Sequence, residues 1–293
     1  MINEMREANY SVGELCDALG VSKSGYYAAE AAPESARARE QRHILEEMEN
    51  VHSERHTRCY GSPRMATELT ERGLPCSENR AARLMRKHGI NARQRAAFRP
   101  KTTITDPARR PAPNVLKEAA QPSGPGQIYV SDITYVATRE GWLYLAVVLD
   151  LYSRKVAGWA LADHMETPLV TGALDRATSA IPPATAALFH SDRGCQYTSK
   201  AMRKRLALLG ITQSMSAKGY CYDNAKSESF FATIKREAFP DDCCFDSRSQ
   251  ARRAIFDYLE TFYNRRRRHS SLGNISPEEF LKRHFQNQKT DLN

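Results

Sequence analysis

The stretch QIYVSDITYVATREGWLYLAVVLDLYSRKVAGWALA, residues 127–162, decides the fold. It contains three runs rich in β-branched and aromatic residues, 128–137, 142–149 and 156–161, and only short turns separate them. Such runs predict three strands in an antiparallel meander. A fourth run follows at 187–190, and helical periodicity appears at about 167–180, 199–209, 224–237 and 248–263. The sequence therefore predicts an α/β fold in which helices flank a mixed sheet.

Composition narrows the class of protein. The chain has 293 residues, of which 41% are hydrophobic and 26% charged, so it is neither disordered nor fibrous and has room for about two domains. The net charge of +9 favours a polyanionic partner, above all nucleic acid. No apolar run approaches the ~20 residues of a membrane helix, and residues 1–10 do not have the pattern of a secretory signal. We expect a cytoplasmic protein without a membrane segment.

The first 30 residues have the pattern of a helix-turn-helix. Ser11 and Glu14 can form a capping box, Gly20 can end the first helix, and Ser22 can cap a second one. The second helix of such a pair enters the major groove of DNA, although an ordinary helical hairpin has the same pattern.

Residues 31–95 predict a connecting helix, at 36–56, and a second helix-turn-helix. Its helices lie at 63–71 and 77–88, on either side of Gly73. The later helix carries Arg80, Arg83, Arg86 and Lys87, which suit contacts with a phosphate backbone; a solvated surface would also explain the charges.

The remaining boundaries follow from changes in composition. Residues 96–125 are basic and rich in proline, as in an extended linker. Residues 126–240 contain the strand runs and form the predicted α/β core. Residues 241–293 form a helical, basic C-terminal segment.

Three carboxylates are candidates for chemistry. Asp132 lies inside the first strand run, Asp192 directly follows the fourth, and Glu228 lies about one turn into a helix that Asp223 can cap. Their hard oxygen atoms suit Mg²⁺ or Mn²⁺, and phosphoryl transfer with two such ions needs this type of set. Spacing alone leaves open that they are three unrelated surface acids.

Four sequence blocks favour the first interpretation. WLYLAVVLDLYSRKVAGW, HSDRGCQYTS, SMSAKGYCYDNAKSESFFATIKRE and YNRRRRHSSLGNISPEEF occur here in this order. Together they resemble the integrase-type (DDE) transposases of bacterial insertion sequences with two overlapping frames, and the match is to the downstream-frame (OrfB) product. The two helix-turn-helix patterns also resemble that family, so the resemblance covers nearly the whole chain.

The resemblance implies a ribonuclease-H-like core similar to that of retroviral integrases. The catalytic D, D and E of the family fall on Asp132, Asp192 and Glu228, and its basic residue seven positions later falls on Lys235. The implied reaction uses two Mg²⁺ or Mn²⁺ ions, cuts DNA at the ends of the element and joins the freed 3′-hydroxyl to another phosphodiester. Glu237 is a weaker candidate than Glu228, since it falls near the opposite face of the helix.

Further residues are candidates for DNA contact. Besides Lys235 they are Arg83, Arg86, Lys87, Lys218, Tyr222, Asn224, Arg265, Arg266, Arg267, Arg268 and His269. His190, just before Asp192, is interpreted as a packed or hydrogen-bonded neighbour and not as a general base. A zinc site built from His52, His56, Cys59 and Cys76 is disfavoured because the cysteines are not closely paired.

The resemblance also implies partners. They are element-end and target DNA, the upstream-frame (OrfA) protein as a fusion or a separate chain, and further copies of this chain assembled on DNA near the bacterial nucleoid. A different class, a catalytically inactive DNA-binding regulator, is disfavoured by the intact carboxylates and Lys235. A ribonuclease H or resolvase nuclease would lack the N-terminal helical modules.

Overall fold

The computed structural model describes residues 10–31, 34–93, 111–216 and 225–290. The chain divides into two compact units, Met1–Glu49 and Asn50–Asn293. The first unit contains α1 (Val12–Leu19), α2 (Lys23–Ala31) and most of α3 (Ala36–Ser53). The predicted capping box is present, with Ser11 Oγ accepting from the Glu14 amide and the Glu14 carboxylate accepting from the Ser11 amide. Gly20 ends α1 with φ of 65°, so the predicted pair of short helices is confirmed.

The second unit begins with a short helical module. A 3₁₀ turn (Thr57–Cys59) leads to α4 (Ser62–Glu71) and α5 (Glu78–Lys87), and Ser77 caps α5 by accepting from the Arg80 amide. Apolar side chains of the two helices are buried, among them Met65, Leu69 and Leu84. The predicted second helix pair is therefore confirmed.

A mixed sheet follows the module. Its strands are β1 (Ile128–Thr138), β2 (Gly141–Asp150), β3 (Val156–Ala162), β4 (Leu188–Ser191), β5 (Thr212–Met215) and β6 (Cys244–Phe245). The order is β3-β2-β1-β4-β5, and β6 pairs with the far end of β1. β1, β2 and β3 form the predicted antiparallel meander, whereas β4 is parallel to β1 and β5 is parallel to β4. The four predicted strands are confirmed; β5 and β6 were not predicted.

Helices flank this sheet, as the sequence predicts. They are α6 (Thr167–Ala180), α7 (Lys200–Leu208), α8 (Ala225–Ala238), α9 (Arg248–Phe256), which continues as a π-helical stretch (Asp257–Tyr263), and α10 (Pro277–Thr290). α10 was not predicted. α6 packs against β2 and β3 and contributes Leu169, Val170 and Leu174 to the main core. This arrangement confirms the predicted α/β class.

Two other expectations concern the whole chain. The structure describes residues 111–125 of the predicted linker. These residues and the next two, 126 and 127, contain no helix or strand. In the described ranges, every helix is too short or too polar to cross a bilayer. The predicted domain boundaries stay predictions.

Gly158 in β3 shows how closely α6 packs on the sheet. A Cβ atom at this position would clash with backbone atoms of Ala173 and Ala177, which cannot move without shifting the helix. We expect Gly158→Ala to lower the free energy of unfolding by about 2 kcal/mol or more, as overpacked cores do.

Gly172, inside α6, is the matched control. A Cβ atom there meets nothing within 4 Å, so Gly172→Ala should raise stability by roughly 0.5–1 kcal/mol through helix propensity. Urea unfolding of both variants measures the difference, and equal effects would contradict the packing described for β3.

Candidate active site

The parallel pairing of β1 and β4 places two of the predicted carboxylates side by side. Val130 pairs with His190, and Asp132 and Asp192 each lie two residues further along the same direction. Because neighbouring strands are ~4.8 Å apart, Asp132, in the middle of β1, is adjacent to Asp192, which directly follows the carboxyl end of β4. Both side chains are half-buried. The carboxyl ends of parallel strands are where ligands bind in α/β sheets.

Tyr197 provides independent support for this proximity. Its ring is buried and its hydroxyl lies 2.9 Å from Ser131 Oγ. Burial raises the pKa of Tyr197, and the negative charges of Asp132 and Asp192 raise it further. Both carboxylates therefore act on the same phenol. Sequence reasoning did not identify Tyr197, although the QYTS segment after Asp192 contained it.

The backbone fixes the orientation of each carboxylate. Asp132 Oδ1 accepts from the Ile133 amide at 2.8 Å, and Asp192 Oδ1 accepts from the Gly194 amide at 3.0 Å. A Cβ atom on Gly194 would lie 3.0 Å from Asp192 Oδ1. Gly194 is thus a second residue of the site that sequence reasoning missed.

Glu228 lies in the first turn of α8, where its side chain is exposed. α8 packs against β1, the strand of Asp132. Asp223, the predicted cap of this helix, lies outside the described residues. A carboxylate in the first helical turn interacts favourably with the positive end of the helix dipole.

Lys235 follows Glu228 by seven residues, so the two residues share a face of α8. Burial lowers the pKa of the Lys235 ammonium, while the nearby Cys243 and Asp132 oppose this shift. Lys235 is therefore close enough to Asp132 for their charges to interact. A cation at this position suits a DNA phosphate bound beside the carboxylates.

The fit of these residues to a metal ion is partial. Asp132 and Asp192 offer hard oxygen ligands from adjacent positions, which suits Mg²⁺ or Mn²⁺. Throughout the described part of the chain, no three His, Cys, Asp or Glu side chains are close enough together to hold a metal ion. The strand register makes Asp132 and Asp192 adjacent, and Glu228 does not complete a three-residue cluster with them.

The predicted DNA contacts fall into three groups. Arg83, Arg86 and Lys87 are exposed on α5, where a phosphate backbone can reach them. Lys218, Tyr222 and Asn224 lie outside the described residues.

The third group, the run from 265 to 269, needs a correction. Arg265 and Arg266 are exposed, but Arg267, Arg268 and His269 are buried. Arg268 forms ion pairs with Glu68 at 2.9 Å and Glu71 at 2.6 Å. The predicted phosphate contact is at odds with the burial and contacts of these three residues, which stabilise the fold.

Arg267 forms an ion pair with Glu237, which the sequence ranks below Glu228 as a catalytic candidate. Its Nε and Nη2 donate to the Glu237 oxygens at 2.7 and 2.8 Å, and the Tyr258 hydroxyl donates to the same carboxylate at 2.8 Å. Burial would raise the pKa of Glu237, but Arg267 and the other donors outweigh it and the pKa is lowered. Glu237 is fully buried and belongs to an ion pair, not to the candidate active site.

His190 behaves as predicted. It is buried, with Nδ1 2.9 Å from Ser214 Oγ and Nε2 3.2 Å from Ser216 Oγ. These contacts join β4 to β5 and hold the backbone just before Asp192.

Comparison with known proteins assigns the chain to a class. Residues 38–98 match an HTH-like domain, and residues 122–221 and 209–277 match integrase core domains. The chain is thus an integrase-core protein with a helix-turn-helix-like domain ahead of the core.

Full-length relatives identify the family. The chain is 39% identical over 272 residues to the insertion element IS600 uncharacterized 31 kDa protein of Shigella sonnei, covering 93% of this chain and 99% of that protein. It is 37% identical over 280 residues to the transposase InsF for insertion sequence IS3A of Escherichia coli (strain K12), covering 94% and 96%. The chain belongs to this family of insertion-sequence transposases.

The chain also has a more distant likeness to solved structures of retroviral proteins. One is the simian T-cell lymphotropic virus intasome in complex with PP2A regulatory subunit B56 gamma, with 13% identity, coverage of 81% of this chain and 74% of that chain, and a TM-score of 0.45. Another is the HTLV-2 integrase catalytic core domain in complex with magnesium, also 13% identical, with coverage of 54% and 97% and a TM-score of 0.40.

Gly194 provides a test of the Asp192 geometry. In Gly194→Ala the new methyl group would press on Asp192 Oδ1 and on Gln196 Oε1, both 3.0 Å away, and displace the carboxylate by a few tenths of an ångström. We expect DNA cleavage to slow by about tenfold, since catalysis is sensitive to small misplacements. The melting temperature should stay within a few degrees of wild type. Unchanged cleavage would show that Asp192 does not need this position.

His269 makes stability depend on pH. Burial and the charges of Arg267, Arg64 and Arg154 lower its pKa from 6.5 to about 2. Below pH 6.5 the unfolded chain therefore binds a proton that the folded chain does not, and stability falls as the pH falls. This residue should account for about 2 kcal/mol of stability lost between pH 7.5 and 5.0.

Urea unfolding of wild type and His269→Gln at the two pH values measures this loss. The variant should lose about 2 kcal/mol less than wild type over the same interval. The same loss in both proteins would contradict the assignment to His269.

Proposed function

We propose that this transposase cuts DNA strands at the ends of its insertion sequence and joins each freed 3′-hydroxyl to another phosphodiester. Asp132, Asp192 and Glu228 are the proposed catalytic carboxylates. The observation that carries the proposal is the adjacency of Asp132, in the middle of β1, and Asp192, which follows the carboxyl end of β4. Glu228 is on the helix that packs against β1.

The same three residues would hold two Mg²⁺ or Mn²⁺ ions. An all-oxygen set of carboxylates is the kind of site that these cations prefer. Bound divalent metal supplies activation of the attacking oxygen and neutralisation of the charge on the leaving oxygen.

The protein's own groups position the DNA strand. The Lys235 ammonium, which interacts with Asp132, binds a phosphate next to the carboxylates. The amides of Ile133 and Gly194 hold Asp132 and Asp192 in fixed orientations before DNA arrives. Such preorganisation lowers the cost of reaching the reactive geometry. No protein side chain serves as the nucleophile in this proposal.

DNA is held mainly through its phosphates. Exposed cations on α5, within the region that matches an HTH-like domain, form one part of the proposed contact, together with the exposed Arg265 and Arg266. Lys218, Tyr222 and Asn224, which precede α8 in the sequence, form another. Contacts of this kind make binding fall steeply with salt.

The proposed reaction implies an assembly. Two ends of an element must be cut and joined together, so we propose that copies of this chain assemble on DNA, with the upstream-frame (OrfA) protein as a fusion or separate partner. The proposed location is the bacterial cytoplasm, at the nucleoid.

The decisive experiment is cleavage and strand joining of element-end DNA with Mg²⁺ or Mn²⁺. We expect Asp132→Asn, Asp192→Asn and Glu228→Gln each to lower the rate by about 100-fold or more, since lost charge stabilisation is worth several kcal/mol. Binding of end DNA should stay within about twofold of wild type.

Asp175→Asn is the matched control. This carboxylate lies on α6, pairs with Arg205 of α7 at 2.6 Å and is not one of the three proposed catalytic carboxylates. The Asp175→Asn variant should cleave element-end DNA at the wild-type rate. Wild-type protein that binds end DNA but does not cut it, even with the upstream-frame protein added, would refute the proposal.

A further inference from the structure

The carboxyl end of α8 is held by side chains from the helical module, which we define as residues 54–93. A helix leaves its last carbonyl groups without partners inside the helix. Here the Arg236 carbonyl accepts from Cys59 and Arg93, and the Ala238 carbonyl accepts from Arg55. The Glu237 carbonyl contacts His56. Just beyond the helix, the Phe239 carbonyl also accepts from Arg93. We refer to these four module residues as the α8 cap.

Arg93 makes the most extensive of these contacts. Its Nη1 lies 3.2 Å from the Arg236 carbonyl and its Nη2 lies 3.4 Å from that of Phe239. It also pairs with Asp241, just beyond the helix. The side chain is largely buried, with 12% of its surface exposed. A cation at a helix carboxyl end is also favoured by the helix dipole.

A second link joins the module to α8 through a side chain. The buried Glu237 carboxylate is bonded to Arg267, and Arg64 of α4 lies 3.9 Å from it. Arg268 is in turn held by Glu68 and Glu71 of the module. The module, α8 and the C-terminal segment thus share one network of charges, and the compact unit Asn50–Asn293 includes all three.

Helix geometry connects this cap with the candidate active site. Glu228 lies ten residues before Ala238, which is about 15 Å along a helix. If the capped end acts as the pivot, a tilt of about 5° moves Glu228 by roughly 1.3 Å. A displacement of about 1 Å can cost two orders of magnitude in rate.

We infer that the α8 cap, with Arg93 as its main contact, positions Glu228 for catalysis. The helical module is then a part of the catalytic scaffold as well as a DNA-binding element. This inference rests on the proposed catalytic role of Glu228. Arg55, His56, Cys59 and Arg93 are positioning residues, since they act on α8 and touch no reacting atom.

The test compares Arg93→Ala with Arg72→Ala. Arg72 also lies in the module and forms ion pairs, but these run to Glu54 and Glu68. Three quantities are measured on the full chain: affinity for end DNA, the single-turnover cleavage rate at saturating protein, and hydrogen exchange of the backbone amides of α8.

For Arg93→Ala we expect cleavage to slow by about tenfold to 100-fold, faster exchange in the last two turns of α8, and DNA affinity within about twofold of wild type. Arg93→Lys, which keeps one donor group near the carbonyls, should be intermediate. Arg55→Ala removes an exposed side chain and should slow cleavage by about threefold without impairing folding. Arg72→Ala should match wild type in rate and in exchange.

Two results would overturn the inference. The first is that Arg93→Ala and Arg55→Ala both cleave DNA as fast as wild type and show unchanged hydrogen exchange in α8. The other is equal slowing in Arg93→Ala and Arg72→Ala, which would indicate general destabilisation. Wild type and Glu228→Gln are run in parallel: if Glu228→Gln cleaves normally, the proposed function fails, whatever the exchange data show. If Glu228→Gln is inactive and Arg93→Ala is normal, only the positioning inference fails.

Discussion

The buried pair of Glu237 and Arg267 is the interaction on which the arrangement of the second unit depends. Neither side chain has more than 3% of its surface exposed, so each would be costly to bury alone. Two parallel hydrogen bonds and the Tyr258 hydroxyl compensate for that cost. Removing one partner of such a pair typically costs about 3–5 kcal/mol because the other charge stays buried. The pair fixes α8 to the C-terminal segment at the point where the helical module also contacts α8.

This pair changes how the positive charge of the chain is interpreted. The net charge of +9 and the run RRRR at 265–268 favour DNA binding as a general property, and the family membership agrees. Yet half of that run is internal, since Arg267 and Arg268 neutralise acidic side chains of α8 and α4. A run of like charges thus contributes to stability through some residues and leaves others, Arg265 and Arg266, on the surface. The burial of each arginine, and not the density of positive charge along the sequence, separates the two roles.

The sequence predicted those parts of the fold that periodicity and capping determine. Alternation and β-branched residues located β1 to β4, and Ser11, Ser77 and the apolar stripe of α6 located helices. β5 was missed because its sequence, TQSM, is largely polar, and β6 because two residues carry too little pattern. Similarly, Asp132 and Asp192 were identifiable as candidates, but their adjacency follows from the parallel pairing of β1 and β4. The burial of Arg268 depends on Glu68, 200 positions away, which no local pattern reveals.

Like-charge repulsion opposes bringing Glu228 close to the pair of Asp132 and Asp192. Two unit charges of like sign 4 Å apart repel by about 4 kcal/mol near a protein surface, so three carboxylates do not converge without compensating positive charge. Lys235 supplies one such charge beside Asp132. The first turn of α8 has no equivalent of the cap at the other end among the contacts that the structure describes, and Glu228 there is exposed to solvent. α8 is therefore held at the end where the helical module contacts it, while Glu228 lies exposed at the other end of the helix.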